Sequence, residues 1–272
     1  MEKSEYLKHF ELEESHWWFR GRRRILLGLL RAVRPANRRC VWLDAGCGTG
    51  FNVKAFEEFG EVFGCDYSED ALHFSRKRGL QKIARADVQR LSFRTDLFDG
   101  VSFLDVLYHK AISDDVAVLR EAHRVLKRDG LLVITDSAFE ILRGRHDLAV
   151  HGRERYRKKT LRARLAAADF QVVRMGYFDF FLSPAIFAVR LWERLRLKKA
   201  AIEAPVQSDL KAVWPPLNSL LFAALSLEAL LIKKLDLPFG SSIICLARKS
   251  PPPSPAGPRR GFTFIKDYET AK

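Results

Sequence analysis

Short, nearly unbroken apolar runs alternate along this chain with longer stretches in which apolar residues recur every three or four positions. The runs fall at Val41–Leu43, Glu61–Asp66, Lys82–Ala86, Phe98–Leu104, Leu131–Thr135, Phe170–Tyr177 and Ser242–Arg248, and runs of this kind predict buried strands. The stretches between them predict helices at Asn52–Phe59, Glu69–Arg78 behind a capping Ser68, Asp114–Lys127 and Leu161–Ala168. In the third of these, Val118, Leu119, Ala122 and Val125 share one side. Strand and helix in alternation predict an α/β fold: a doubly wound, mostly parallel seven-stranded sheet with its ligand at the carboxyl ends of the strands.

Two segments break the alternation. Before the first strand, Glu2–Phe10 predicts a short helix and Phe19–Val33 a longer basic one, with Ile25, Leu26, Leu29 and Leu30 at helical spacing. Between strands 6 and 7, more than sixty residues stand where a short return is expected. Ser183-Pro184 opens a helix there, and Leu217–Leu235 forms a second one, apolar except for a narrow polar stripe and shorter in its apolar run than the ~20 residues that span a bilayer. The chain therefore divides into a helical cap (1–36), a core (37–178), an inserted helical hairpin (179–240), a last core strand (241–249) and a flexible proline-rich tail (250–272).

Candidate chemistry concentrates at the strand ends. The first strand runs into Asp44-Ala-Gly-Cys-Gly-Thr-Gly50, where glycines let the backbone approach a ligand and aim a helix N-terminus at it. Strand 2 ends on Asp66, about twenty residues on, where a carboxylate can accept hydrogen bonds from ribose hydroxyls. Strand 3 leads to Asp87-Val88 and strand 4 to Asp105-Val-Leu-Tyr-His109.

The Gly-x-Gly-x-Gly spacing, together with the acids at successive strand ends, resembles motif I and its neighbours in class I S-adenosylmethionine-dependent methyltransferases. The resemblance covers about Arg39 to Arg248. It implies a Rossmann-like core that binds S-adenosyl-L-methionine through Asp44, Ala45, Gly46, Cys47, Gly48, Gly50, Asp66, Tyr67, Asp87, Val88 and Asp105. At Arg128-Asp-Gly130 the family's usual Lys-Pro-Gly-Gly turn is altered, which touches the turn and not the chemistry. Glu14-Ser-His-Trp-Trp-Phe-Arg-Gly-Arg-Arg24 is similar to the opening of a bacterial type 11/12-like subgroup. Its tryptophans either pack the cap onto the core or close over the cofactor, with Arg20 or Arg23 pairing with a carboxylate. The same subgroup has a His-Asp...His-x-Arg-Arg-Tyr stretch after strand 5. Here it runs from His146 to Tyr156 with Glu154 in place of the first paired arginine. His109, His146, His151 and Tyr156 are the candidates for moving a proton, against the plainer role of a polar loop. The five-residue spacing of His146 and His151 does not set both rings on one helical face, so no metal is expected.

Net charge is +14 with a pI near 9.8, so the surface attracts anions. The hairpin is accordingly either a lid or an element resting on an anionic membrane surface beside a lipid-linked acceptor. Four scattered cysteines, and no signal peptide after Met1–Glu5, predict a cytoplasmic protein, peripheral on the inner membrane face in the second case. The expected activity is methyl transfer to a small-molecule or lipid-linked acceptor, at oxygen. A nucleic-acid methyltransferase would also account for the charge. However, Leu104-Asp-Val-Leu-Tyr-His replaces the Asn/Asp-Pro-Pro-aromatic box, and no Pro-Cys nucleophile is present. A non-catalytic module that binds the cofactor and docks onto a partner is the third reading. Neither oligomeric state nor acceptor follows from the sequence.

Overall fold

The computed structural model describes residues 3–33, 39–197, 208 and 210–250, with the backbone course alone for 193–197. The proline-rich tail beyond Ser250, and residues 198–207 of the expected hairpin, lie outside the described residues.

Seven strands form one sheet: β1 (Cys40–Ala45), β2 (Gly60–Asp66), β3 (Ile83–Arg85), β4 (Phe98–Leu104), β5 (Leu126–Ser137), β6 (Phe170–Phe178) and β7 (Ser242–Lys249). Their order is β3-β2-β1-β4-β5-β7-β6. All neighbours are parallel except β7, which runs antiparallel to both β5 and β6. The order reverses between β1 and β4, and the glycine loop emerges from β1 at that point, where open α/β sheets bind ligands. The turn expected before strand 5 lies inside it. Leu126 pairs with Phe98, pairing resumes at Gly100 with Leu131, and the residues between loop out with Asp129 at φ 60°.

Helices α3 (Phe51–Phe56), α4 (Glu69–Lys77), α5 (Asp115–Val125) and α7 (Lys158–Ala167) fall where helical spacing places them, and a short α6 (Arg145–Ala149) interrupts the expected loop after β5. One sheet face packs against α5 and α7, burying Val118, Leu119, Leu161 and Leu165 with Phe98, Phe103 and Ile134. On the opposite face Trp42, Phe56 and Ile244 share a core with Ile25, Leu26, Leu29 and Leu30 of α2 (Trp17–Val33).

Each of those four α2 side chains is at most 3% exposed. At about 1.5–3 kcal/mol apiece they contribute on the order of 10 kcal/mol, as much as the net stability of a whole domain. Most of α2 is thus a structural layer of the core, while α1 (Lys3–Leu12) and the start of α2 reach over the strand ends.

The inserted segment contains α8 (Ser183–Leu197) and α9 (Pro215–Leu231). α9 lies along α2, so closely that a Cβ on Gly21 would be 2.6 Å from Leu225 Cβ. Asn218 accepts from the Trp17 amide at 2.8 Å and donates to the Ser15 carbonyl, and Arg20 stacks 4.0 Å over Phe222. Among the described residues no helix is long and apolar enough to cross a membrane.

Candidate functional site

The site is built outward from the end of β1. Asp44 is buried there, with Oδ1 accepting from Ser102 Oγ at 2.6 Å, while Oδ2 has no hydrogen-bond partner among the described residues. Burial pushes this carboxyl up to about 7. The chain then turns through Gly46 at φ 80° and Gly48 at φ 56°. A side chain on Gly46 would strike Val106, whereas nothing lies within 4 Å of the place a Cβ on Gly48 would take. Gly48 therefore presents bare backbone to open space, the cradle a close-approaching ligand needs.

Asp66, at the end of β2, is fixed by two amides: Gly48 N–H donates to Oδ2 and Ser68 N–H to Oδ1, both at 2.9 Å. Each oxygen keeps a further lone pair for a ligand hydroxyl. Asp87 accepts from the Gln89 amide at 2.9 Å, a turn-capping role that leaves its other oxygen for a ligand. Asp105 follows β4 at φ 59° and pairs with Arg22 of α2.

These groups line a single cleft of about 740 Å³, within the usual size of small-molecule sites. Gly46, Cys47, Gly48, Asp66, Tyr67, Asp87, Val88, Asp105, His109 and His151 all border it. Asp44, Ala45 and Gly50 do not. The first two are buried behind the loop, and Gly50 begins α3 against Ser75 and Leu80.

His146 and Tyr156 also stand outside the lining. The Tyr156 hydroxyl donates to Asp115 at 2.5 Å, in a buried network with Arg153, Arg164 and Glu154, and burial pushes its pKa far above the phenol range. A phenol so held anchors the loop after α6 to α5, and it neither reaches a ligand nor ionises.

The cap supplies lining residues that the sequence did not single out: Tyr6, His9 and Glu13, spaced three and four apart on one side of α1 and its end, and Phe19 with Arg22 on α2. Arg20 and Arg23, the arginines expected to face a carboxylate, are turned elsewhere. Arg20 stacks on Phe222, while Arg23 donates to the Glu13 carbonyl at 2.6 Å and lies 4.1 Å over Phe51. Arg22, three residues after Phe19, lines the cleft with it instead. Arg22 is 3% exposed, and its Nε has no partner among the described residues. Glu13 pins the cap to the loop by accepting from Thr49 Oγ1 and Arg78.

His109 and His151 come from loops joined by backbone bonds, Lys110 N–H to the His151 carbonyl at 2.9 Å and Arg153 N–H to the Tyr108 carbonyl at 2.7 Å. Their rings stand 5.8 Å apart. Burial, with His151 nearby, holds His109 down to about 4. Its Nδ1 accepts from the Ala111 amide at 3.1 Å, so the neutral ring carries its proton on Nε2. His9 is held down to about 3, chiefly by burial.

A buried guanidinium nitrogen of Arg22 without a partner among the described residues, on the cleft lining, complements the carboxylate of an amino acid. Asp66 complements a ribose, and Asp87-Val88 a purine edge and face.

Parts of the chain resemble known proteins. Residues 43–134 match the family model described as a methyltransferase domain. Over 115 residues the chain is 30% identical to a demethylmenaquinone methyltransferase of Lysinibacillus sphaericus, covering 39% of this chain and 47% of that one. An uncharacterised protein of Methanocaldococcus jannaschii is 32% identical over 94 residues, 34% of this chain and 35% of its own. The chain thus spans less than half the length of these curated relatives. Among solved structures, an S-adenosylmethionine-dependent methyltransferase of Mesorhizobium loti shares the fold with a TM-score of 0.52 at 18% identity, over 82% of this chain and 97% of that one.

Proposed function

We propose, from the premise that residues 43–134 are a methyltransferase domain of the class I S-adenosylmethionine-dependent kind, that this chain transfers a methyl group from S-adenosyl-L-methionine to a small-molecule acceptor. The observation that carries the reading is the convergence on one cleft of the bare Gly48 backbone, the doubly held Asp66, and Arg22, whose Nε has no partner among the described residues. Arg22 would hold the carboxylate of the donor's amino-acid end, Asp66 its ribose, and Asp87 with Val88 its adenine, while Asp44 supports the loop from behind. When bound, the donor supplies an electrophilic methyl carbon on a sulfonium.

The protein's own work is to align an acceptor and to manage its proton. His109, neutral with its proton on Nε2, serves as a hydrogen-bond donor that orients the acceptor. His151, beside it in the lining, accepts the proton of an acceptor hydroxyl, which is why oxygen is the proposed atom. The name of the Lysinibacillus relative supports a small-molecule acceptor as a class, and at 30% identity over part of the chain it supports no particular molecule. The more specific form of the reading is a cytoplasmic protein working at the inner membrane face on a lipid-linked acceptor.

The test is incubation of the purified chain with methyl-labelled donor and cell extract, followed by mass spectrometry of the aqueous and organic fractions. A newly labelled species is expected with the wild type. His151→Gln should lower its rate of formation by about 10²–10⁴-fold, the usual contribution of a general base. No labelled species in either fraction, or an unchanged rate in His151→Gln, would contradict the activity or the assigned base respectively.

A further inference from the structure

A helix that is apolar except for a narrow polar stripe is ordinarily buried over most of its surface, and α9 is not. Its inner face, with Leu225, Glu228, Ala229 and Ile232, packs on α2 and the loop before α8. Its outer face carries Leu217, Leu220, Leu227 and Leu230 into solvent, Leu220 at 67% exposure, and Trp214 at its head is 71% exposed. On α8, Phe187 and Val189 are exposed too. A surface so rich in large apolar side chains marks a contact site.

The charges around it say what kind of contact. The only carboxylate on α9, Glu228, is turned inward and fully buried, where its Oε1 accepts from the Phe181 amide at 2.9 Å. The outer face therefore bears no negative group. Lys211 precedes the helix, Lys233 and Lys234 follow it, all three exposed, and Arg20 and Arg24 line the α2 flank against Phe222. An apolar stripe about 25 Å long, headed by tryptophan and bordered by more cations than carboxylates, Asp236 and Glu14 being the exposed acids near its two ends, is complementary to acyl chains below and phosphate headgroups beside them.

We propose that the outer face of α8 and α9 docks this protein onto an anionic phospholipid surface. The helix is too short to cross the bilayer, so it lies in the interface, with its leucines among the upper acyl chains and its lysines at headgroup level. The docked face is one helix away from the cleft, because α2 presents Gly21 to α9 and Arg22 to the site. The inference stands on the outer surface and not on the cleft, so vesicle binding and donor binding can fail separately.

The test is flotation of the full chain with vesicles of neutral phosphatidylcholine and of phosphatidylcholine mixed with phosphatidylglycerol. Flotation is expected with the anionic vesicles, reduced by salt and at least about tenfold weaker on neutral ones. The double substitution Leu220→Glu with Leu227→Glu, both at exposed positions, should lower partitioning by at least about tenfold while leaving the melting temperature unchanged. Recovery of the wild type in the soluble fraction with both vesicle types, or equal flotation of the double variant, overturns the proposal. So does a wild type that ignores vesicles and instead forms a dimer abolished by the same substitutions, which would make the face a contact between two copies.

Discussion

Arg22 shows how much turns on one residue's helical phase. Three neighbouring arginines on α2 point to three different places, and only Arg22 enters the cleft, where it pairs with Asp105 and leaves Nε without a partner. Arg22→Met should weaken binding of S-adenosylhomocysteine by about 10–100-fold, the range expected for a lost charge-assisted contact. Methylthioadenosine, which lacks the amino-acid end, should bind the variant as well as it binds the wild type, and Arg20→Met should change neither. Equal losses for both ligands would show a collapsed cleft instead of a missing contact. The strand-end acids were legible because a carboxylate after an apolar run has few other reasons to be there. Tyr156 was not, since a tyrosine in a polar loop gives no sign that its hydroxyl will meet Asp115 on another helix. His9 could have been found from its spacing with Tyr6 and Glu13.

At the scale of the element, the hairpin and the N-terminal helices form one layer. Glu228 of α9 is the buried group that records the junction. It lies near Asp179, itself buried and held by Ser241 and Ser242. Burial chiefly, with Asp179 adding repulsion, pushes Glu228 up to about 7 from 4.5. Between those values the folded chain holds more protons than the unfolded one, so this group's contribution makes stability fall as pH rises from 4.5 through 7. Glu228→Gln can still accept from the Phe181 amide and removes that penalty. It should raise the melting temperature relative to the wild type at pH 8 and give no such gain near pH 4.5, as thermal unfolding at the two pH values will show. A gain of the same size at both would assign the effect to packing and not to ionisation. The pairing of α9 with α2 was outside what local pattern can tell. Both helices announced themselves by apolar spacing, but the partner of each lies some two hundred residues away in sequence, and Gly21 explains the fit only once Leu225 is seen against it.

For the molecule as a whole, the sheet order puts the glycine loop and the three following strand ends on one cleft, with α1 and α2 bringing in His9 and Arg22 and the loops after β4 and α6 bringing in His109 and His151. Fold alone does not fix an activity. The central claim is that this cleft holds an S-adenosyl ligand by its ribose and its amino-acid end. Isothermal titration with S-adenosylhomocysteine tests it most directly. The account predicts saturable binding to the wild type and a loss of about 10–100-fold in Asp66→Ala, whose carboxylate the Gly48 and Ser68 amides hold in place. A wild type that takes up no ligand, or an Asp66→Ala variant that binds it undiminished, would contradict it.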